Sequence, residues 1–215
     1  MHIKVLSRAR GRRQYLFIAL GIACLVVLVF CGSQGVTSLA QPERTLLRGA
    51  PRAQSAVTNA TALRAMGLDH LIMVAGHAVT IKGDLTAVDR DERTWYLLPY
   101  QTGQDLPAEF VRHIREGVSL AAADPRSLLV FSGGQTRGDA GPRSEGASYW
   151  LVAERFAWWG HVATVGARAA AEEHARDSLE NLLFALCRFR ELTGTYPRRV
   201  TVVSFWFKRR RFEQV

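Results

Sequence analysis

The sequence predicts an α/β fold with a mainly parallel sheet, because three apolar runs alternate with segments of helical periodicity. The runs cover residues 70–75, 127–131 and 199–204 and are apolar over most of their length. Strands that are apolar on both faces are typical of a parallel sheet covered by helices on either side. We therefore expect a Rossmann-like three-layer α/β/α sandwich, preceded by one N-terminal transmembrane helix.

The N-terminal segment before this domain begins with basic residues and continues with an apolar run. Residues 1–13 contain one lysine and four arginines but no acidic residue, and residues 14–31 carry no charge. The uncharged run is near the lower limit for crossing a bilayer, so a signal anchor and a cleaved signal peptide both fit it. We favour the anchor, because the run is longer than the apolar part of a usual signal peptide. The basic flank then predicts a cytosolic tail at 1–13 and a single-pass type II membrane protein.

The residues between the apolar run and the α/β domain predict a flexible stem. Residues 32–63 are rich in small and polar residues and lack a sustained apolar period. Asn59-Ala60-Thr61 is a sequon for N-glycosylation, on the side that the charge rule places in the lumen. We therefore expect glycosylation of Asn59, location in the endoplasmic reticulum or Golgi membrane, and a luminal α/β domain at 64–215.

The helices of this domain follow from periodicity and from end signals. Three helices are predicted. The first has an apolar stripe at Phe110, Val111, Ile114 and Val118, the second begins at Glu145, and the third has a polar cap at Asp177 or Ser178. The last helix has its predicted core stripe at Leu179, Leu182, Leu183, Leu186 and Phe189. Gly194 allows the left-handed conformation that ends a helix. A further short strand is predicted at 162–165.

Each of the three main strands is followed by residues suited to bind an anion. In a parallel α/β sheet, ligands bind beyond the carboxyl ends of the strands, where glycine loops present backbone amides. The predicted ligand-binding residues in these segments are Gly76, His77, Ser132, Gly133, Gly134, Ser204, Lys208 and Arg211. We expect Arg211 to make the direct contact, because a guanidinium group can bind a phosphate or carboxylate through two hydrogen bonds.

The segment from Glu172 to Arg211 resembles a known family, domain of unknown function 218, whose bacterial members include envelope-biogenesis proteins of the SanA, YdcF and ElyC type. The family signature has Glu, then Asn-Thr-x-Glu-Asn, then a strand leading into Thr-Ser-x-x-His-x-x-Arg. The residues that fit it are Glu172, Asp177, Ser178, Glu180, Asn181, Ser204 and Arg211. Lys208 stands where the bacterial pattern has His, as in the fungal-type eukaryotic branch with its Phe-Lys-Arg-Arg-Arg-Phe run.

The resemblance implies a Rossmann-like fold over roughly 68–215 and adds Asp177, Ser178 and Asn181 to the ligand-binding residues. It makes S-adenosylmethionine a candidate cofactor, since a bacterial relative is reported to bind it. Family members continue past the basic cluster into another helix and strand. The resemblance therefore implies that this domain lacks its last elements.

Three carboxylates are candidates for acid or base catalysis. The resemblance implies that Glu145, Glu172 and Glu180 cluster at the mouth of the cleft, where crowding would raise the pKa of at least one carboxyl group. In the alternative interpretation Glu180 caps its helix and Glu172 pairs with Arg176 on the surface.

Other site classes are weakly indicated. Asp89-Arg90-Asp91 has the spacing of a nucleotide-metal motif but is common on solvated loops, so we predict no metal site. The formal net charge of +9 lies largely in the N-terminal tail and near the last strand, so we expect a membrane and an anionic small molecule as partners rather than nucleic acid. Two functions stay open: binding of an anionic or nucleotide-like ligand, with or without group transfer or hydrolysis, and a non-catalytic secretory-pathway or envelope role with a vestigial cleft.

Overall fold

The protein forms an α/β fold around a parallel sheet. A computed structural model describes residues 2–6 and 60–214. The sheet strands are β1 (His2–Leu6), β2 (His70–Ala75), β5 (Ser127–Ser132), β6 (Ala169–Glu172) and β7 (Arg199–Val203), and a separate antiparallel pair is formed by β3 (Val79–Thr80) and β4 (Trp95–Tyr96). The sheet order is β1-β7-β2-β5-β6, and all neighbouring strands are parallel.

The strand register brings the carboxyl ends of the central strands to one edge. Ala75 pairs with Ser132, which in turn pairs with Glu172. The predicted strands at 70–75, 127–131 and 199–204 are confirmed to within one residue. The strand predicted at 162–165 is wrong, because that segment is a turn that buries Val165 before β6 begins.

Helices cover both faces of the sheet. They are α1 (Ala60–Ala65), α2 (Leu106–Ala123), α3 (Glu145–Arg155), α4 (Ser178–Thr193) and α5 (Arg209–Glu213). One core cluster joins α2 and α3 to the sheet face of Ile72 and Val74. A second joins α1, α4 and α5 to the opposite face, which carries Leu71 and Met73. Alternate residues of β2 thus face different cores, as the pleat of a strand requires.

The helix α4 begins and ends where its sequence predicts. The side chain of Asp177 accepts a hydrogen bond from the backbone nitrogen of Glu180 at 2.9 Å, and Gly194 follows the helix with a φ of 83°. These are the polar N-cap and the left-handed C-cap expected for such residues.

The predicted buried face of α4 needs correction. Leu182 and Phe189 are buried, but Leu179 is 51% exposed, Leu183 is 48% exposed and Leu186 is only partly buried. Two apolar stripes run side by side along this helix, and periodicity alone does not tell which stripe faces the sheet. The stripe that packs on the sheet consists of Leu182, Ala185, Phe189 and Leu192.

The structure describes only a few of the N-terminal residues for which the sequence makes predictions. The strand β1 falls within residues 1–13, for which the sequence predicts a cytosolic tail and no strand. The helix α1 crosses the predicted boundary between the stem and the α/β domain at residues 63/64, and it buries Leu63 in the core. Residues 14–31 and Asn59 lie outside the described residues. Within the described ranges, no helix is both long enough and apolar enough to span a bilayer.

Candidate functional site

A cavity of about 640 Å³ opens at the carboxyl ends of β2, β5 and β7. Its walls come from the residues after these strands, the segment between β4 and α2, and the start of α4. The lining residues are Gly76, His77, Leu98, Tyr100, Gln101, Gln104, Leu106, Glu109, Thr136, Arg137, Glu145, Arg176, Asp177, Ser178, Asn181, Phe205, Trp206, Phe207, Lys208 and Arg211. The cavity therefore lies where a parallel sheet is expected to bind ligands.

The structure brings most of the sequence-predicted site residues to this cavity. The predicted residues that line it are Gly76, His77, Glu145, Asp177, Ser178, Asn181, Lys208 and Arg211. The predicted residues outside its lining are Ser132, Gly133, Gly134, Glu172, Glu180 and Ser204. Several of the second group lie directly beneath the first and hold it in place.

Ser132 and Glu172 belong to this supporting layer. The Oγ atom of Ser132 lies 2.6 Å from Oε2 of Glu172 and 2.8 Å from Oδ1 of Asn181. The other carboxylate oxygen of Glu172 accepts hydrogen bonds from the backbone nitrogens of His174 and Ala175, at 2.6 and 3.1 Å. Glu172 is only 4% exposed. Its carboxylate thus ties the end of β6 to β5 and to the loop that precedes α4.

Glu180 lies at the exposed start of α4. It binds Arg176 through Oε1 at 2.6 Å and does not line the cavity. The alternative interpretation was wrong about Glu172, which is buried and binds Ser132 instead of Arg176. Glu180 accepts a hydrogen bond from the backbone nitrogen of Arg176 at 2.8 Å, just before α4 begins. Of the three candidate carboxylates, Glu145 alone faces the cavity.

Glu145 is packed against two glycine loops. A Cβ atom on Gly76 would come within 2.5 Å of Cβ of Glu145, and one on Gly133 within 2.8 Å. Only glycine therefore fits at these two positions without displacing Glu145. Oε1 of Glu145 accepts a hydrogen bond from Thr136 at 2.6 Å and lies 3.6 Å from Nη2 of Arg137. Burial raises the pKa of Glu145 above its ordinary value, although Thr136, Arg137 and Lys208 oppose that shift.

A buried histidine holds the lysine of the site. Nδ1 of His77 lies 3.0 Å from Nζ of Lys208, and Nε2 lies 3.4 Å from Oγ of Ser204. Burial, followed by the charge of Lys208, keeps the pKa of His77 well below its ordinary value, so the ring is neutral. Because an ammonium group only donates, Nδ1 accepts from Lys208 and the ring proton is on Nε2. Ser204 and His77 thus position Lys208.

The electrostatics of Lys208 reflect its removal from water. Burial lowers the pKa of its ammonium group; Glu145 raises it, and the neighbouring Arg211 and Arg137 lower it. An anion placed beside Lys208 would offset both the desolvation and the repulsion.

Arg137 is a site residue that sequence reasoning missed. Its Nη1 donates to Oγ1 of Thr136 at 2.9 Å, and its Nη2 lies 3.4 Å from the carbonyl oxygen of His77. Its Nε is buried and has no hydrogen-bond partner among the described residues. The only sequence signal was an arginine in the loop that follows Ser132-Gly133-Gly134.

Two cations of the cavity, the partly buried Lys208 and the exposed Arg211, lack a salt-bridge partner among the described residues. Lys208 and Arg211 form no salt bridge with any residue in the described part of the chain, whereas Arg176 is paired with Glu180 and the acidic Glu109 with Arg112. The arrangement is thus able to bind an anion.

The acidic triplet at 89–91 has a structural role. Asp91 accepts hydrogen bonds from the backbone nitrogen and Nε of Arg93, at 3.0 and 2.9 Å, and caps a short 3₁₀ helix. No group of three or more His, Cys, Asp or Glu side chains suited to a metal ion occurs in the described residues.

Comparison with known proteins finds a distant relative. No family model and no solved structure matches this chain. The chain is 24% identical over 152 residues to YOR238W, an uncharacterised protein of Saccharomyces cerevisiae. The aligned part covers 55% of this chain and 50% of the yeast protein, so the chain spans about half the length of the curated relative that it matches. This similarity does not assign an activity to the chain.

Proposed function

We propose that the α/β domain binds an anionic small molecule in the cavity at the carboxyl ends of its strands. The observation that carries this proposal is the ammonium group of Lys208, held by neutral His77 at 3.0 Å beside the cations Arg137 and Arg211. A partly buried ammonium group near two other cations is costly unless an anion compensates its charge. A bound phosphate or carboxylate would provide that compensation, and Arg211 offers the fork-shaped donor that either group accepts.

The resemblance to domain of unknown function 218 supports a Rossmann-like domain with a nucleotide-like ligand. It also suggests S-adenosylmethionine, whose carboxylate fits the cations but whose sulfonium and ammonium groups would be repelled by them. A transferase or hydrolase activity would use Glu145 as acid or base, because its raised pKa and its position in the cavity suit proton transfer. In that case Lys208 and Arg211 would neutralise charge on the reacting group.

A non-catalytic role is the second candidate, and one observation favours it. Lys208 occupies the place of the family histidine, and the nearby buried His77 uses Nδ1 to hold that lysine. No histidine in the described residues is therefore placed as a free base at the cavity floor. Under this second function the cavity would bind an anion without turning it over.

The proposed setting is a type II membrane protein with the α/β domain in the lumen and a glycan on Asn59. The pairing of β1 with β7 places residues 2–6 beside the α/β domain, so this pairing and an uncleaved membrane-spanning anchor at 14–31 exclude one another. The proposed topology therefore requires that β1 does not pair with β7 in the membrane-bound protein. We expect expression in a eukaryotic host to give an endoglycosidase-sensitive product that resists alkaline extraction. A soluble, unglycosylated product would contradict this topology.

The binding function is tested by thermal unfolding of the full-length chain with inorganic phosphate. A ligand present at a hundred times its dissociation constant should stabilise the fold by about 2.7 kcal/mol. Chloride at matched ionic strength is the control for salt effects. An equal melting temperature in phosphate and in chloride would contradict anion binding. If phosphate binds, incubation with phosphomonoesters and detection of released phosphate then separates a hydrolase from a binding protein.

A further inference from the structure

We infer that the ligand of this cavity carries a planar ring next to its phosphate group, and that Trp206, Phe207 and Tyr100 bind the ring. The inference rests on the proposed function and specifies its ligand as an aryl or nucleoside phosphate. These three residues are called the aromatic rim below. Neither the sequence predictions nor the comparisons assign them a role.

The aromatic rim is exposed to an unusual degree for such large side chains. Tyr100 is 74% exposed, Phe207 63% and Trp206 57%, and all three line the cavity. Single exposed apolar residues are normal on a protein surface, but several around one concave site mark a ligand or partner. The rim comes from two separate walls, because Tyr100 lies between β4 and α2 whereas Trp206 and Phe207 follow β7.

Ring contacts connect this rim to His77, which holds Lys208; the part of the cavity around Lys208 is called the floor. The rings of Phe207 and Phe205 are stacked with centroids 5.5 Å apart, and Phe205 in turn contacts His77 at 4.6 Å. His77 holds Lys208 through Nδ1. One short segment, 205–208, thus supplies both the ring surface and the lysine. A phosphate at Lys208 would leave the adjoining part of its molecule within reach of the rim, since consecutive Cα atoms are about 3.8 Å apart.

The size and charge of the cavity fit such a molecule. A volume of about 640 Å³ lies within the range of pockets that hold small molecules of drug or nucleotide size. The cations at the floor suit the charged end, and exposed aromatic side chains suit a π-face. Stacking does not require hydrogen bonds to ring edges, so the geometry selects a ring next to a phosphate without naming the base.

Three probes separate the two parts of this ligand on the full-length chain. Inorganic phosphate tests the floor, ribose 5-phosphate adds the sugar, and adenosine 5′-monophosphate adds the ring. We expect adenosine monophosphate to bind about five- to a hundredfold more tightly than ribose 5-phosphate, as base stacking on one aromatic side chain predicts. Isothermal titration calorimetry measures both affinities.

Variants of the rim should remove only the preference for the ring. Trp206→Leu and Phe207→Leu keep an apolar side chain but lose the planar surface, so the affinity for ribose 5-phosphate should stay unchanged while the preference for adenosine monophosphate falls towards one. Tyr196→Leu is the matched control, because Tyr196 is 57% exposed, stacks with Arg190 and does not line the cavity. Melting temperatures confirm that each variant is folded.

The outcomes distinguish this inference from the function on which it rests. If the wild-type protein binds phosphate but binds ribose 5-phosphate and adenosine monophosphate equally well, the inference that the ligand carries a ring is wrong. The proposed anion site would still stand. A preference that survives in the Tyr100→Leu/Trp206→Leu/Phe207→Leu triple variant would overturn the assignment of the rim. Failure of all three probes to bind would overturn both proposals.

Discussion

Two buried histidines stand at opposite ends of β2, and their surroundings differ. His70, at the amino end, has Nδ1 at 2.7 Å from Oδ2 of Asp124 and Nε2 at 2.8 Å from Oγ1 of Thr201. Arg199 pairs with the same Asp124. His77, just beyond the carboxyl end, contacts Lys208 and Ser204, and the causes of its pKa shift include cations and no carboxylate.

On our proposal, this difference distinguishes the end of the sheet that only stabilises the fold from the end that binds a ligand. At the amino end both carboxylates have an arginine partner, since Arg199 pairs with Asp124 and Arg126 binds Asp69 at 2.7 Å. Burial alone would raise the pKa of Asp124, but hydrogen bonds from His70 and from the backbone of Arg126 lower it below its ordinary value. At the carboxyl end Arg137 lies 3.6 Å from Glu145, but Lys208 and Arg211 form no salt bridge with any described residue of the cavity. Charge that the protein does not compensate itself is the physical signature of a site for a charged ligand.

The largest expected effect concerns the hydrophobic core between α4 and the sheet. Phe189→Ala should lower the free energy of unfolding by about 3–5 kcal/mol, because its ring is fully buried between α4 and the sheet. Leu183→Ala, on the half-exposed stripe of the same helix, should cost well under half as much. Urea denaturation measures both values. Similar losses in the two variants would mean that the buried face of α4 is misassigned.

A smaller effect should appear at the carboxyl end as lost binding. Lys208→Met should weaken phosphate binding about ten- to a hundredfold, the range expected when a hydrogen bond from a charged donor is removed. The free energy of unfolding should change by less than about 1 kcal/mol, since the lost hydrogen bond to His77 is offset by relief of a desolvated charge. Unchanged affinity in this variant would remove Lys208 from the site.

The buried histidines of the carboxyl end should make the fold sensitive to acid. Burial, followed by the charges of Arg112 and Lys208, lowers the pKa of His113 to about 3. Below the unfolded value of about 6.5, the unfolded chain binds a proton that the folded chain does not, so stability falls as the pH falls from there towards the folded pKa. At pH 5 this loss is about 2 kcal/mol for one such histidine.

His113→Phe removes one of these groups and tests their contribution. Its Nδ1 is buried with no hydrogen-bond partner among the described residues, so the substitution leaves no former partner of that atom unsatisfied. The melting temperature should therefore fall less between pH 7 and pH 5 in the variant than in the wild-type protein. An identical fall in the two proteins would show that His113 does not contribute to acid sensitivity.

The smallest effect is expected at the amino end. Asp124→Ala should lower the free energy of unfolding by about 1–2 kcal/mol, between the values for exposed and buried ion pairs, because the carboxylate is partly exposed. It should leave phosphate affinity unchanged. A loss of phosphate binding in this variant would contradict the claim that the amino end of the sheet takes no part in anion binding.

Local signals in the sequence were sufficient for much of this fold. The strands β2, β5 and β7 were predictable from their apolar runs, and the cap at Asp177 from its residue type. The strand β6 was missed because its sequence, Ala-Ala-Ala-Glu, has little β-propensity, and its pairing with β5 determines its conformation. Contacts between distant segments override local propensity in such cases.

The candidate site was predictable where glycines and cations directly follow strands. Gly76, Lys208 and Arg211 are at the cavity as expected. Arg137 was missed because a polar loop gives no periodic signal, and only the tertiary fold directs its side chain to the carbonyl oxygen of His77. The pairing of Lys208 with His77 joins residues 131 positions apart, so no local pattern contains it.

Phosphate-dependent stabilisation of two matched arginine variants tests the central claim most directly. Arg211 lines the cavity at the carboxyl end, whereas Arg198 lies beside Asp69 and Arg126 at the amino end. The account predicts that phosphate raises the melting temperature of the wild-type protein and of Arg198→Ala equally, and that Arg211→Ala loses most of this increase while remaining folded without phosphate. Equal stabilisation of Arg211→Ala, or its loss in Arg198→Ala instead, would contradict the assignment of the anion site to the carboxyl end of the sheet.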